Sequence, residues 1–413
     1  MRRSSNIFLT AVLVIAFVGV QGAGANGFAA QPVDDHPASL RFATFNASLN
    51  RGTNGAFLAA VTTTTDPQIK GVAEIIQRAA PDVLLVNEFD FDAQHIALDR
   101  FNDNYLAISQ HGARPISYPY RFTAPSNTGI PSGFDFDNDG SVGGGNDAFG
   151  FGAFPGQFGM AVYSQYPIDE TNVRTFQHFL WKDMPGALLP DDASTPAPAD
   201  WYSSDELAVF RLSSKSHWDV PIAIGSKVVH FLVSHPTPPV FDGPEDRNGL
   251  RNHDEIRFWA DYLDPSRSSY LYDDTGGYGG LANGGLFVIA GDMNADPLDG
   301  DSVANAVQQL LEHRRIDART TPTSPGGPEQ STLQGGANLV HLGDPAFDTA
   351  DFADTTPGNL RADYVLARRG MPSVRAGVYW PLMSDPAFAP VGVFPFPSSD
   401  HRLVWLDLDA SRL

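Results

Sequence analysis

The sequence predicts a layered domain of class α/β (α+β), and three observations carry that expectation. Short apolar runs recur along the chain, amphipathic stretches of helical period lie between some of them, and the connecting segments are rich in Gly, Pro, Asp and Asn. The runs fall at residues 40–45, 83–86, 160–163, 228–233, 286–290, 364–366 and 403–408. Their length and their Val, Leu, Ile and Phe content suit interior strands covered on both faces. Residues 68–80 place Ile69, Val72, Ile75 and Ile76 at helical spacing before Pro81 stops the pattern, and residues 254–263 and 303–311 read as similar helices.

The chain begins with Arg2 and Arg3, followed by an apolar run from residue 7 to 20 and the small-residue sequence Ala23-Gly24-Ala25. That order of charge, apolar core and A-x-A site is the pattern of a secretory signal peptide, with cleavage expected after Ala25 and residues 26–39 as a linker. The twin arginine hints at the Tat route. The mature chain is therefore expected in the periplasm or outside the cell, without a membrane-spanning segment and with no obligate protein partner evident. The single domain expected at 40–413 carries two long inserts, at about 111–158 and 320–360, both read as ordered loops because neither shows an apolar period.

The formal charge of −21 argues against nonspecific binding to nucleic acid, which needs Lys and Arg spread over a face. It does not exclude a nucleic-acid substrate met by a metal and a few local cations. With no cysteine, disulfides and thiolate metal sites are excluded.

Chemistry-bearing residues cluster where the expected strands begin or end. The first run stops at Asn46, the second at Asn87-Glu88, the fourth at Ser234-His235, and the fifth at Gly291-Asp292-Met293-Asn294. Arg361-Ala362-Asp363 leads into the sixth, and Ser399-Asp400-His401 into the seventh. Any one of these residues alone reads as a turn or cap. Together they form a set of oxygen and imidazole groups that can converge at the rim of a sheet.

In this order the motifs resemble the endonuclease/exonuclease/phosphatase superfamily, also called deoxyribonuclease I-like, from about residue 40 to the C-terminus. The resemblance implies a four-layered sandwich of two mainly antiparallel central β-sheets flanked by helices. It implies hydrolysis of a phosphate ester by in-line attack of water, assisted by a divalent metal, with Mg²⁺ the expected ion and Mn²⁺ or Ca²⁺ as alternatives. Asn46 and Glu88 match the metal-positioning residues, and Asp400 is read as a further metal or phosphate ligand. Asp292 and Asn294 match the pair that orients the attacking water and contacts the phosphoryl group. His401 is expected to do acid–base work with Asp363 as its carboxylate partner, and His235 to meet the phosphate or the leaving group. His235 can also be read as a buried structural histidine.

Three further features carry expectations of their own. Asp135, Asp137 and Asp139, with Gly140, match the start of a calcium loop, but the EF-hand's glutamate is missing; a non-helical Ca²⁺ loop and an Asp/Gly surface loop both fit. Phe149, Phe151, Phe154 and Phe158 are expected to turn their rings inward, although they can also line a cleft or touch lipid. Arg247 and Arg251 are candidate phosphate-binding groups, with ion pairing on a helix surface as the alternative. The functional expectation is a secreted phosphodiesterase or nuclease. A phosphomonoesterase, a sphingomyelinase-like lipid phosphodiesterase and a non-catalytic calcium- or ligand-binding protein of the same fold stand as alternatives.

Overall fold

The computed structural model describes residues 39–413 apart from Ala197 and Ala304. The expected signal peptide and the linker, Ser39 excepted, lie outside the described residues. In chain order the first strands are β1 (Ser39–Asn46), β2 (Val83–Asn87), β3 (Tyr120–Phe122), β4 (Met160–Ser164), β5 (Arg174–Thr175), β6 (His217–Ile224) and β7 (Lys227–Ser234). The remainder are β8 (Leu286–Asp292), β9 (Ile316–Asp317), β10 (Ala350–Asp351), β11 (Asn359–Leu360), β12 (Asp363–Arg368), β13 (Ser373–Val378) and β14 (Val404–Asp409). The helices are α1 (Ala56–Thr62), α2 (Pro67–Ala79), α3 (Ile96–Phe101), α4 (Ser204–Leu207), α5 (Arg247–Tyr262), α6 (Gln308–Leu311) and α7 (Gly326–Gln334).

One six-stranded sheet runs β13-β14-β1-β2-β4-β3, the other β5-β6-β7-β8-β12-β9. Each is antiparallel apart from one parallel pair, β1 with β2 and β7 with β8. A parallel pair needs a crossover, and α2 and α5 lie in the two crossovers. Asp66 starts α2 by accepting the Ile69 amide at 3.0 Å, and Pro67 occupies the first turn, where a missing N–H costs nothing.

Alternation along the strands of the second sheet separates two cores. Val288, Ala290, Val365 and Ala367 face the first sheet, whereas Phe287, Ile289, Tyr364 and Leu366 face α5 through Ile256, Phe258 and Trp259. Between the sheets, Phe42 meets Phe231 at 5.5 Å and Phe122 meets Trp218 at 5.2 Å, centroid to centroid. Ile69, Val72 and Ile76 of α2 join the core of the first sheet. The result is the four-layered sandwich of two mixed sheets flanked by helices.

The structure departs from the sequence reading in several places. Residues 303–311 are helical only at Gln308–Leu311, because Asn305 adopts a left-handed φ of 68° that a continuous helix cannot contain. Helix α5 begins at Arg247, ahead of the expected 254, through a polar stretch in which Arg251 and Asn252 are buried. The insert at 320–360 contains α7 and the β10–β11 pair, so it is more than a loop, and β3 lies within 111–158. Of the Phe/Gly rings only Phe149 is buried; Phe151 is 64% exposed and Phe154 and Phe158 are half-buried, so the inward reading holds for one ring.

Candidate active site

Topology gathers the polar strand ends. The parallel strands β1, β2, β7 and β8 finish at one edge, where their antiparallel neighbours β12 and β14 begin. Register fixes this: Asn46 pairs with Asn87, Asp363 pairs with Asp292, and Thr44 pairs with Val404, just after His401. Gly291 has a direct reason to be glycine, since a Cβ there would lie 2.1 Å from the Ser234 carbonyl of the adjacent strand. Three residues next to the strand ends, Ser48, Glu88 and Asn294, hold left-handed φ values of 48°, 58° and 49°. Such conformations are costly for residues with a side chain and persist where the surroundings impose them.

Asn46 ties the two sheets together. Its Nδ2 donates to Glu88 Oε1 at 3.1 Å and to Asp292 Oδ2 at 3.0 Å, and its Oδ1 accepts the Ser48 amide at 3.3 Å. Expected among the metal ligands, it therefore turns its oxygen away from the carboxylates and acts here as a bridge between them. Asn50, which has no motif to mark it, donates to Glu88 Oε2 at 2.7 Å. Asp90 holds that loop by accepting the Arg51 amide at 2.8 Å and the Phe158 amide at 3.1 Å.

Asp292 sits between the histidines. Nε2 of His235 and Nε2 of His401 lie 3.4 and 3.6 Å from its Oδ2, while its Oδ1 accepts the Asn294 amide at 2.9 Å. His401 Nδ1 donates to Asp363 Oδ2 at 2.8 Å, and Thr349 Oγ1 donates to the same oxygen at 2.8 Å. Thr349 comes from the second insert, whose backbone runs beside the Ser399-Asp400-His401 segment: Arg402 N donates to Thr349 O at 2.7 Å and Asp351 N to Asp400 O at 2.8 Å. Neither Thr349 nor Gln68, which clamps the carbonyls of Ala47, Ser48 and Ser398, carries a local sequence signal. Asn294 donates through Nδ2 to Pro236 O at 3.1 Å, and Asp400 approaches Ser48 Oγ at 3.4 Å.

Burial and charge set the ionisation of these groups. Burial, reinforced by Asp363, pushes Asp292 up to about 6 against the opposing charge of His401. Burial pushes Glu88 up as well, with Asp400 adding to it and Asn46, His401 and Lys215 opposing. Burial works against charge on His401, but Asp363, Asp292 and Asp400 outweigh it and raise this histidine well above its ordinary value. His235 goes the other way: burial, then the nearby Lys215 and His401, hold it neutral.

Donor chemistry tests whether a divalent cation fits. Glu88, Asp292, Asp363 and Asp400 are four carboxylates gathered at one sheet edge, where Lys215 and His401 can carry positive charge; Arg402, which also acts on Asp363 and Asp400, is paired with Asp351 at 2.9 Å. Oxygen donors in excess of positive charge suit a hard divalent ion. Asp292, Asp363 and His401 bring ligand atoms within 4.8 Å of one another, a buried cluster compatible with a divalent metal, and Asp363 Oδ1 has no partner among the described residues.

The other expected groups lie elsewhere. Arg251 commits its guanidinium to the carbonyls of Leu212, Arg211 and Phe149, at 2.8, 2.9 and 2.5 Å, which corrects its reading as a phosphate ligand. Arg247 pairs with Glu245 and lies over the Trp201 ring, the alternative foreseen for it. Asp135, Asp137 and Asp139 also bring oxygens within 4.8 Å of one another; Asp135 accepts the amides of Asp139 and Gly140, and Asp137 accepts the Asn146 side chain.

The profile of the Endonuclease/Exonuclease/phosphatase family matches residues 43–401, and the chain belongs to that family. Its members typically hydrolyse phosphate esters. Solved structures similar to it include the endonuclease/exonuclease/phosphatase from Beutenbergia cavernae DSM 12333, 18% identical with a TM-score of 0.46, covering 90% of this chain and 72% of that one. TDP2 from Caenorhabditis elegans is 13% identical with a TM-score of 0.41, covering 90% and 74%. Sphingomyelinase C from Streptomyces griseocarneus is 15% identical with a TM-score of 0.44, covering 89% and 99%. No protein with a curated description matches the sequence.

Proposed function

We propose that this chain is an exported, divalent-metal-dependent phosphodiesterase. The observation that carries the reading is the placing of Asp292 Oδ2 between His235 and His401, with Asn46 joining the same oxygen to Glu88. A carboxylate raised to about 6 accepts a proton near neutral pH, so Asp292 is the base that takes the proton of the attacking water. A histidine held as imidazolium already carries its proton. His401 is therefore a donor to a phosphoryl oxygen, and Asp363 keeps it charged and oriented. In this reading neutral His235, with Nε2 3.4 Å from Asp292 Oδ2, hydrogen-bonds the phosphate, and Asn294 contacts the phosphoryl group. A divalent cation bound at Glu88 supplies neutralisation of the phosphate charge that develops during displacement.

Export rests on residues 1–25, and no helix among the described residues is long and apolar enough to cross a membrane. A mature N-terminus at residue 26 in culture medium or periplasm is the expected result; a chain retained whole in the cytoplasm contradicts it. The activity is tested on bis-p-nitrophenyl phosphate and p-nitrophenyl phosphate with Mg²⁺, Mn²⁺ or Ca²⁺, and again with chelator. Faster turnover of the diester, lost with chelator and restored by metal, is expected. No turnover of either ester, or of plasmid DNA, with any ion rejects the enzyme reading.

A further inference from the structure

The phosphate needs a cation, and the two arginines singled out in the sequence are committed elsewhere. A different cation faces the site. Lys215 precedes β6 in the run Ser213-Ser214-Lys215-Ser216 and is only 7% exposed. Its ammonium forms no hydrogen bond or ion pair among the described residues. Most of the side chain is buried, and the residual exposure reaches the ammonium, so a charge that has lost much of its hydration stands open to an anionic ligand.

Its backbone, by contrast, is fixed. Lys215 O accepts the Asn127 amide at 2.8 Å. Glu255 Oε1 accepts the Ser214 amide at 2.6 Å, and Oε2 accepts the Thr237 amide at 2.6 Å, locking this loop to the one that carries His235. Ser213 and the Glu255 carbonyl hold the His217 ring on its two nitrogens. Ser214 Oγ donates to His235 O at 3.4 Å and His217 pairs with Ser234 across β6 and β7, so Lys215 stands beside the strand end that carries His235; its charge acts on Glu88, Asp292 and His235 together. Glu255 also acts on its charge, but no ion pair joins the two among the described residues, and that carboxylate's oxygens accept the Ser214 and Thr237 amides.

Resting on the phosphoesterase reading above, we propose that Lys215 is a phosphate-binding catalytic residue whose ammonium contacts a non-bridging oxygen of the substrate phosphoryl group. The rigid loop presents the cation in advance, and the phosphate is the partner the side chain lacks. Lysine suits this role as a point charge with three donors that can follow the phosphoryl oxygen through displacement.

The test compares the full chain with Lys215→Met and Lys215→Arg. Binding of inorganic phosphate is measured by calorimetry, and turnover of bis-p-nitrophenyl phosphate by steady-state kinetics. Lys215→Met should weaken phosphate binding by about tenfold or more and lower kcat/KM by about 10²-fold or more. Its thermal midpoint should be unchanged or raised, since a desolvated charge has been removed. Lys215→Arg, which keeps the charge, should recover most of the phosphate affinity. If the wild type binds phosphate and turns over the diester while Lys215→Met matches it in both, the lysine proposal is overturned and the phosphoesterase reading stands. If the wild type does neither, both fall.

Discussion

Replacing Asp363 by asparagine isolates the role of the carboxylate behind His401. The change keeps side-chain size in a fully buried position and removes one charge. Oδ2 accepts two hydrogen bonds, from His401 Nδ1 at 2.8 Å and Thr349 Oγ1 at 2.8 Å. A hydrogen bond to a charged group contributes about 1.5–3 kcal/mol and a neutral one about 0.5–1.5, so each bond loses about 1 kcal/mol when the geometry survives. Folding stability should fall by about 2 kcal/mol on that count, readable as a lower urea midpoint at unchanged slope. The kinetic cost should be larger. Without its counter-charge the imidazolium is less favoured, and an amide can turn its NH₂ toward Nδ1 and select the wrong tautomer. A fall in kcat of about 10²–10⁴-fold with little change in KM is expected on bis-p-nitrophenyl phosphate. Thr349→Val removes one donor to the carboxylate and takes the acceptor from the Ala362 and Asp363 amides, so it costs stability too, but with the carboxylate in place it should show the smaller loss of kcat. An Asp363→Asn enzyme within about threefold of wild-type kcat would refute the pairing as a catalytic device.

Two other perturbations probe the parts of the fold around the site. Arg251→Met strips three backbone carbonyls of their donor and should cost about 3 kcal/mol of stability in urea, while KM for the diester stays at the wild-type value; a large rise in KM with stability intact would return Arg251 to the phosphate. Asp348 is pushed up to about 8 by burial, with Asp296, Asp299, Asp344 and Asp351 adding to it. Because the folded value lies above the unfolded one, its contribution is fully present below about pH 4 and is lost as pH rises through about 8. Asp348→Asn should therefore raise the thermal midpoint at pH 8–9, by up to a few kcal/mol in stability, and leave it unchanged at pH 4; equal shifts at both pH values would contradict the assignment.

How much of this was legible in the sequence depended on whether a signal was local. Interior strands such as β2 and β8 are unbroken apolar runs, so periodicity and length were enough to find them. Strand β6 escaped because His217, Asp219 and Pro221 interrupt it. Its two polar groups are buried with partners outside the strand: Asp219 meets His230 at 2.7 Å and Tyr262 at 2.6 Å, and His217 meets the Glu255 carbonyl at 2.8 Å. Edge strand β13 is too exposed to show an apolar face. The same division holds at the site. Glu88, Asp292, Asn294, Asp363, Asp400 and His401 stand at strand boundaries in recognisable groupings. Asn50, Gln68, Lys215 and Thr349 lie in loops or a helix with nothing around them in sequence to mark them, and only tertiary contact assigns them a place.

The spread of the site over the chain follows from how the two sheets repeat one plan. Each contributes a parallel pair linked through helix, β1–α1–α2–β2 and β7–α5–β8, and each pair ends in the groups that matter: Asn46 and Glu88 from one sheet, His235 and Asp292 from the other. Neither half holds the constellation alone. Because Asn46 Nδ2 reaches Glu88 in its own sheet and Asp292 in the opposite one, the spacing of the two carboxylates is set by the distance between the sheets. That distance is set in turn by the rings and aliphatic groups packed between them, Phe42 against Phe231 and Phe122 against Trp218. Close-packed interiors resist displacement, so the inter-sheet core acts as the ruler for the site as well as a source of stability. The residues that hold the carboxylates at working distance therefore include apolar ones buried well below them.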